Sequence, residues 1–490
     1  MLRILNSQSR QKEEFKPLNA GRVTMYTCGP TVYDSLHLGH ARAAITPDVV
    51  RRYLEYKGYN VRFVMNFTDV DDKIIKRSIA EKTPYREITS RYIDEFHRLM
   101  LSLNVKPADV YPRATDHIDS MIEIVARLID KKHAYAASDG DVYFDTATYA
   151  RYGALSGRKL EEEEAGHSGR ISQDRMAVKK NSGDFVLWKL NKNDKPEMAA
   201  GGDLVPRWPS PWGEGRPGWH LECSAMSRLY LGVPFDIHGG GQDLLFPHHE
   251  DEKAQTECAY HEELGDKDSV RYWVHNAFIT VDGEKMAKSF RDAEGKPNVK
   301  WLREMIWPEG SYDPMAIRML MLSSHYRSPL EAERQLFDEA VARLERIYNT
   351  IEALERVNAA GVAAPNRVEI AQFEAAMDDD FNTAGALGVV FDLVSHANQE
   401  LAKNVLTPEQ IAAALATIRL MLSVLGLRPH RAKAASAGDS EQLVELLMQA
   451  RLEARTAKQY QLGDKIRNGI KALGYEVEDL PGGKWVVMKK

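Results

Sequence analysis

Arg22-Val-Thr-Met-Tyr-Thr-Cys28 is rich in β-branched and apolar residues and stops at Gly29-Pro30, the pattern of a strand ended by a turn. A helix is expected from about Leu38, with apolar positions at Ala43, Ala44, Val49, Val50 and Leu54 and a stop at Gly58. Pro47 predicts a kink or a first-turn boundary within it. Val61-Arg-Phe-Val-Met-Asn-Phe67 reads as the next strand. The element between the two strands has the length of a right-handed crossover, so residues 22–67 predict a β-α-β unit that opens a parallel, nucleotide-binding sheet.

Working outward, the sheet resumes with Val233-Pro-Phe-Asp-Ile-His238 and closes at Gly239-Gly-Gly241, with a helix expected near Asp243. Trp273-Val-His-Asn-Ala-Phe-Ile279 reads as one further β segment. The expected class is α/β. A Rossmann-like parallel-sheet catalytic domain occupies 1–129 and 218–312, split by a connective insertion at 130–217 that holds the acidic run Glu161 to Glu164. A helical bundle follows over 313–430, with helical patterns such as Glu331 to Ala359 and Leu406 to Leu427. The Ala-, Ser- and Lys-rich stretch Arg431 to Asp439 reads as a linker, and a small domain completes 431–490.

Bulk properties narrow the class. A chain of 490 residues is too long for one core, and 43% hydrophobic with 28% charged residues is the balance of a globular protein. No stretch has the length of a membrane span or the pattern of a secretory signal, so a cytoplasmic protein without membrane association is expected. Three cysteines, Cys28, Cys223 and Cys258, are too few for a disulfide framework. A net charge of −6 argues against indiscriminate coating of nucleic acid, although residues 431–490 carry eleven basic against eight acidic groups.

Three constellations carry chemistry. His37-Leu-Gly-His40 stands at the start of the first helix, where backbone N–H groups already favour anions. Gly39 lets the backbone come close to a nucleotide. Lys285-Met-Ala-Lys-Ser289 follows a β segment and offers two lysines that can neutralise a triphosphate as its charge shifts. Taken singly, surface histidines and an exposed basic loop are the plainer readings. Their order along the chain resembles the paired ATP motifs of class I aminoacyl-tRNA synthetases. The third constellation comprises Cys28, Cys223 and Pro247-His-His-Glu-Asp-Glu252. A helix from Pro247 puts His248 and Glu252 one turn apart on one face, and two thiolates complete a zinc-suited set. The long gaps also admit two buried thiols beside a solvated helix face, and spacing leaves His248 and His249 equivalent. Cys258, six residues past Glu252, faces elsewhere and reads as an inert buried thiol.

Longer stretches extend the resemblance to the cysteinyl-tRNA synthetase family over nearly the whole chain. They are Arg10-Gln-Lys-Glu-Glu-Phe15, Met25 to Asp34, Asn66-Phe-Thr-Asp-Val-Asp-Asp-Lys-Ile74, Arg216 to Met226, Asp236 to Glu250, Ser324-His-Tyr-Arg-Ser328 and Ala472 to Trp485. The resemblance implies one Zn2+ held by Cys28, Cys223, His248 and Glu252, and a cysteine pocket shaped by Gly29, Thr68, Trp219, His238 and Asp243. It implies catalytic His37, His40, Lys285 and Lys288, with Gly39, His40 and Lys288 on ATP, which brings Mg2+. It further implies L-cysteine and tRNA(Cys) as partners and an anticodon-binding role for 431–490, where Arg455, Tyr460 and Trp485 are the candidate tRNA contacts. A monomer is expected. A cysteine ligase acting on an amino sugar shares the adenylate chemistry but lacks the tRNA-reading end, so the bundle and terminal domain count against it. Two departures stand out: Ala287 replaces a serine in the family's Lys-Met-Ser-Lys-Ser, and Phe290 to Asn298 lacks the Leu-Gly-Asn expected there.

Overall fold

The computed structural model describes residues 1–158, 178–190, 202–281, 284–286, 299–306, 312–358, 361–431, 437–457, 459–472, 475–480 and 484–489. It divides into two compact units, Met1–Pro429 and His430–Lys490. Glu161 to Glu164, Ala287, Lys288 and the segment 290–298 lie outside the described residues.

The first unit is organised by a four-stranded sheet of β1 (Arg22–Thr27), β2 (Asn60–Met65), β3 (Phe235–Gly241) and β4 (Val270–Asn276). Their order is β4-β3-β1-β2 and every pairing is parallel. Helix α1 (Leu38–Tyr56) crosses from β1 to β2, with Pro47 inside it. Parallel strands covered on both faces need apolar residues on both. Val23, Met25, Ile237 and Val274 join the cluster that includes Leu38, Ile45 and Tyr53 of α1. Tyr26, Val64, Phe235 and Trp273 face a second cluster with Leu221 and Met226 of α2 (Trp219–Leu231) and Ala254 and Cys258 of α3 (Glu250–Ala259). The strand order reverses between β1 and β3, and the crevice beyond their carboxyl ends is where open parallel sheets bind ligands.

The insertion forms an antiparallel sheet, Ala134–Ala136, Val142–Phe144, Phe185–Leu190 and Gly215–Pro217, in that order. Lys189 and Arg216 from its last two strands both reach the Asp72 carboxylate, at 3.2 and 2.7 Å. The bundle comprises Pro314–Leu322, Arg334–Val357, Arg367–Asp378, Thr383–Lys403 and Pro408–Leu425. Four of these five helices start where caps are supplied: Asp313 before Pro314, Asn366, Asn382, and Thr407 with Gln410. Pro408–Leu425 is long and apolar enough to cross a membrane. Its Ile411, Leu415, Ile418 and Leu422 are instead buried in the bundle core.

Two readings of the sequence need correction. The segment Trp273 to Ile279 is not one strand: β4 ends at Asn276, and the Ala277 N–H bonds Tyr326 O at 2.9 Å. Ile279–Val281 then pairs antiparallel with Glu284–Lys285 and parallel with Leu330–Glu331 in a separate small sheet. In the second unit the helix Ala437–Thr456 begins inside the stretch read as a linker, because alanine favours helix and Asp439 suits its first turn. Tyr460–Ala472 and the hairpin Tyr475–Leu480 with Lys484–Lys489 complete that unit.

A buried cation joins α1 to the bundle. Arg318, fully buried, pairs with the Asp48 carboxylate and donates to Leu103 O at 3.1 Å and Leu425 O at 2.8 Å. Asp48→Ala would strand that charge, so unfolding of the first unit in urea is expected to lose about 3–5 kcal/mol. An unchanged midpoint would show that the pair does not hold α1 to the bundle.

Candidate active site with a metal centre

The carboxyl ends of β1 and β3 bring the cysteine-bearing turn and the histidine-bearing helix together. Cys28 follows β1, and its N–H reaches Gly239 O of β3 at 3.4 Å. Gly29 is required there, since a Cβ on it would fall 1.7 Å from Asn66 O. The Asn66 side chain accepts from Gly29 N–H at 2.9 Å and lies 3.5 Å from the Thr68 hydroxyl. Cys223 comes from the first turns of α2, one helical turn after Trp219.

The His248 segment departs from the expected helix. Neither a start near Asp243 nor a regular turn from Pro247 is found, because Phe246 is extended (φ −142°, ψ 132°). The His249 N–H bonds Leu244 O, five residues back, at 2.8 Å, and regular helix starts only at Glu250. This wide turn still leaves His248 Nε2 3.0 Å from Glu252 Oε1.

The donor atoms of Cys28, Cys223, His248 and Glu252 all lie within 4.8 Å of one another. Cys28 Sγ is 3.4 Å from Cys223 Sγ and 3.3 Å from Glu252 Oε1. A second set, Cys28, His238, His249 and Glu252, meets the same limit. Of the two sets, the first holds both thiols. His248 Nε2 is buried and faces the cluster, 3.0 Å from Glu252 Oε1. The ring is held from its other side, with Nδ1 2.9 Å from His220 Nδ1 and Trp219 stacked on it at 4.0 Å. His249 is held likewise, its Nδ1 2.8 Å from His275 Nε2, which is backed by the Ser7 hydroxyl, and its Nε2 lies 3.4 Å from Cys28 Sγ, so the second set shares the site. Two sulfurs, an imidazole and a carboxylate form a donor set that fits zinc.

Electrostatics follow from this crowding. Burial pushes the Cys28 thiol well up, with Cys223 adding to it. Burial also opposes ionisation of Cys223, but the Cys28 thiol and His248 outweigh it and bring Cys223 down to about 6. Burial lowers His248, yet the Glu252 carboxylate dominates and lifts it to about 10. Glu252 stays well below the usual carboxylate range despite burial, because His238 and His248 flank it. His238 Nε2 is 2.9 Å from its second oxygen. Burial and then His238 hold His249 neutral. Cys258 is buried apart from the cluster, and burial lifts it to about 12.

The nucleotide corner adjoins this cluster through the chain from Cys28 to His40. His37 caps α1, its N–H donates to His40 Nδ1 at 3.0 Å, and the two rings lie 3.8 Å apart. A Cβ on Gly39 would meet the His37 ring at 3.0 Å and Met286 Cε at 3.6 Å. Lys285 follows on the short strand opposite Thr280, so the two motifs share one corner. The Leu38 N–H bonds Lys300 O, and the Leu302 N–H bonds Leu36 O, both at 2.9 Å.

Comparison with known proteins agrees with this geometry. Residues 14–342 match the family described as tRNA synthetases class I (C) catalytic domain, and residues 372–428 match the DALR domain. A cysteine–tRNA ligase of Thermococcus onnurineus (strain NA1) is 45% identical over 98% of both chains. The chain belongs to the cysteine–tRNA ligase family. The corresponding ligase of Sodalis glossinidius (strain morsitans) is 43% identical over 99% of both chains. Among solved structures, a Mycobacterium tuberculosis methionyl-tRNA synthetase bound by methionyl-adenylate is 15% identical with a TM-score of 0.56, over 87% of this chain and 94% of that one. LeuRS of Agrobacterium radiobacter K84, in complex with tRNA and LeuAMS, reaches 0.59 at 11% identity over 84% and 85%. These two likenesses concern the fold, an α/β class I catalytic domain with a helical DALR region. The enzyme is thus an ATP-dependent aminoacyl-tRNA ligase.

The remaining candidates are distributed as follows. Thr68 and His238 are buried beside the cluster, Trp219 is 38% exposed over His248, and Asp243 is exposed on the turn after β3. Lys288 lies outside the described residues. In the second unit Arg455 ends one helix, exposed Tyr460 begins the next, and Trp485 lies on the terminal hairpin opposite Asp479. Sequence reasoning missed Asn66 as the support of Gly29. It left His248 and His249 equivalent by spacing, and both lie beside the sulfurs. Gly29→Ala is expected to push Cys28 off the cluster and weaken zinc retention by roughly 10–100-fold, the range for losing an ordered support around a ligand. Competition with a chromogenic chelator measures this, and wild-type retention would show that Gly29 does not set the position of Cys28.

Proposed function

We propose that this enzyme activates L-cysteine with ATP to cysteinyl-adenylate and transfers it to the 3′ end of tRNA(Cys), with one zinc selecting the substrate. The observation that carries the reading is the convergence of Cys28, Cys223, His248 and Glu252 beside the amino end of α1, where a nucleotide phosphate is favoured. Zinc bound by these four groups would supply a thiophilic Lewis acid that takes the substrate sulfur as a further ligand and holds a serine hydroxyl far more weakly.

The chain's own residues do the rest. Trp219, Gly29, Thr68 and His238 bound the pocket, and Asp243 pairs with the substrate ammonium while Thr68 hydrogen-bonds it. The cysteine carboxylate oxygen attacks the α-phosphorus of ATP, and the bond to pyrophosphate breaks. His37, His40 and the positive end of the α1 dipole stabilise the charge that grows on the phosphates. Lys285 and Lys288 neutralise the leaving pyrophosphate, and Mg2+ accompanies ATP. The 2′-hydroxyl of the terminal adenosine then attacks the carbonyl carbon, and AMP leaves. Ala287 removes one hydroxyl from the loop and leaves both lysines. In this reading the enzyme is a cytoplasmic monomer, and Arg455, Tyr460 and Trp485 contact the anticodon end of the tRNA.

ATP–pyrophosphate exchange tests the selection step. Exchange is expected with cysteine and not with serine, and chelation is expected to abolish it until zinc is restored. Equal exchange with serine, or full activity after zinc removal, would defeat zinc selection. For the tRNA end, losing one stacked base is worth about 1–3 kcal/mol. Tyr460→Ala is therefore expected to raise KM for tRNA by roughly tenfold while exchange stays unchanged. An unaltered KM would remove Tyr460 from the interface.

A further inference from the structure

Arg42 stands two residues past His40 on α1, is 1% exposed, and among the described residues pairs with no carboxylate. Its guanidinium donates instead to four backbone carbonyls: Phe278 O at 2.8 Å, His325 O at 3.2 Å, Tyr326 O at 3.3 Å, and Ser328 O. Burying a cation against carbonyls alone costs several kcal/mol of desolvation that an apolar side chain of similar volume avoids. Backbone satisfaction does not account for it. Phe278 O already accepts from the Leu330 N–H, His325 O from Ser328, and Tyr326 O from Ala277. Arg42 is a second donor to each of these three.

What Arg42 does is join separate segments. The His325–Ser328 loop is fixed on its far side by buried Asp380 of the bundle, which accepts from the Tyr326 hydroxyl at 2.9 Å and pairs with Arg327. Phe278 opens the segment that runs through Ile279–Val281 to the strand of Lys285, and Leu330–Glu331 pairs with that segment directly after the loop. The guanidinium thus ties the helix that begins at His37 to the base of the lysine-bearing strand pair, against an anchor that cannot yield.

We propose that Arg42 is a positioning residue for the ATP-dependent step, setting the register of the Lys285 strand against the His37–His40 turn. This rests on the reading of Lys285 as a group that neutralises the leaving phosphates. A misplacement of about 1 Å at a reacting group can cost roughly 100-fold in rate. In pyrophosphate exchange, Arg42→Met is expected to lower kcat by about that factor, with KM for cysteine within about twofold of wild type. Zinc content and melting temperature are expected to stay at wild-type values. Arg42→Lys, which keeps the charge but loses the planar fork, is expected to recover part of the rate and remains testable if the methionine variant does not fold. Lys285→Ala is the control. A slow Lys285→Ala with wild-type kcat in both Arg42 variants would overturn the proposal. So would loss of kcat matched by a lowered melting temperature and a raised cysteine KM. Full exchange by Lys285→Ala would instead defeat the underlying reading of the lysine.

Discussion

Cys28, half-buried, and the buried Cys223, His248 and Glu252 come from three segments far apart in the chain and meet at the point where the strand order reverses. Removing ionisable groups from water costs several kcal/mol each unless an opposite charge is close. Within the cluster His248 and Glu252 supply such a pair, and a shared cation would complete it for the sulfurs. The surrounding structure follows from that requirement. Gly29 lets β1 end against Asn66, α2 delivers Cys223 directly after the last insertion strand, and a wide turn before Glu250 aims His248 inward. The position is the one that a parallel sheet offers to any ligand, so the proposed metal centre and the proposed nucleotide corner are neighbours by topology.

The parts of the fold legible in the sequence were those dictated by period and by punctuation. Residues 22–67 fold as the β-α-β unit expected, since both strands are bounded by turn residues and α1 has a continuous apolar stripe. Pro47 lies within α1 without ending it, because buried contacts from Leu38 to Leu54 outweigh the lost hydrogen bond. What escaped was set by distant partners. Nothing local says that β4 stops at Asn276; the Tyr326 carbonyl, fifty residues on, captures the chain there. Nor does spacing reveal the extended Phe246, which sets how the two adjacent histidines enter the cluster. The same blindness applies to Arg42, an unremarkable arginine on an amphipathic helix until the four carbonyls around it are known.

The insertion and the bundle hold the two edges of the crevice by different means. Asp72 gathers Lys189 and Arg216, and this is a partly exposed network. Its two cations outweigh the effect of burial and keep the carboxyl ionised. Pairs of that kind are screened by salt and individually weak. The bundle side uses Arg318 with Asp48 and Arg327 with Asp380, where the carboxylates are buried and solvent screens them little. The insertion edge is therefore the more compliant of the two, and the bundle edge is the fixed frame against which α1 and the lysine strand are set.

That contrast bears on how a small substrate is chosen. Cysteine and serine differ by sulfur against oxygen, a change too small for shape to reject, since apolar pockets separate near-isosteres by only about 1–3 kcal/mol. A directed bond to sulfur requires a donor cluster whose geometry does not relax to suit oxygen. The buried set meets this condition through rigidity: Trp219 stacks on His248, His220 holds its other nitrogen, and His238 fixes the free oxygen of Glu252. His248 and Glu252 are thus each held by side chains from another element. Selection in the proposed mechanism comes from this scaffold of supports, which denies the cluster any geometry other than the one that suits sulfur.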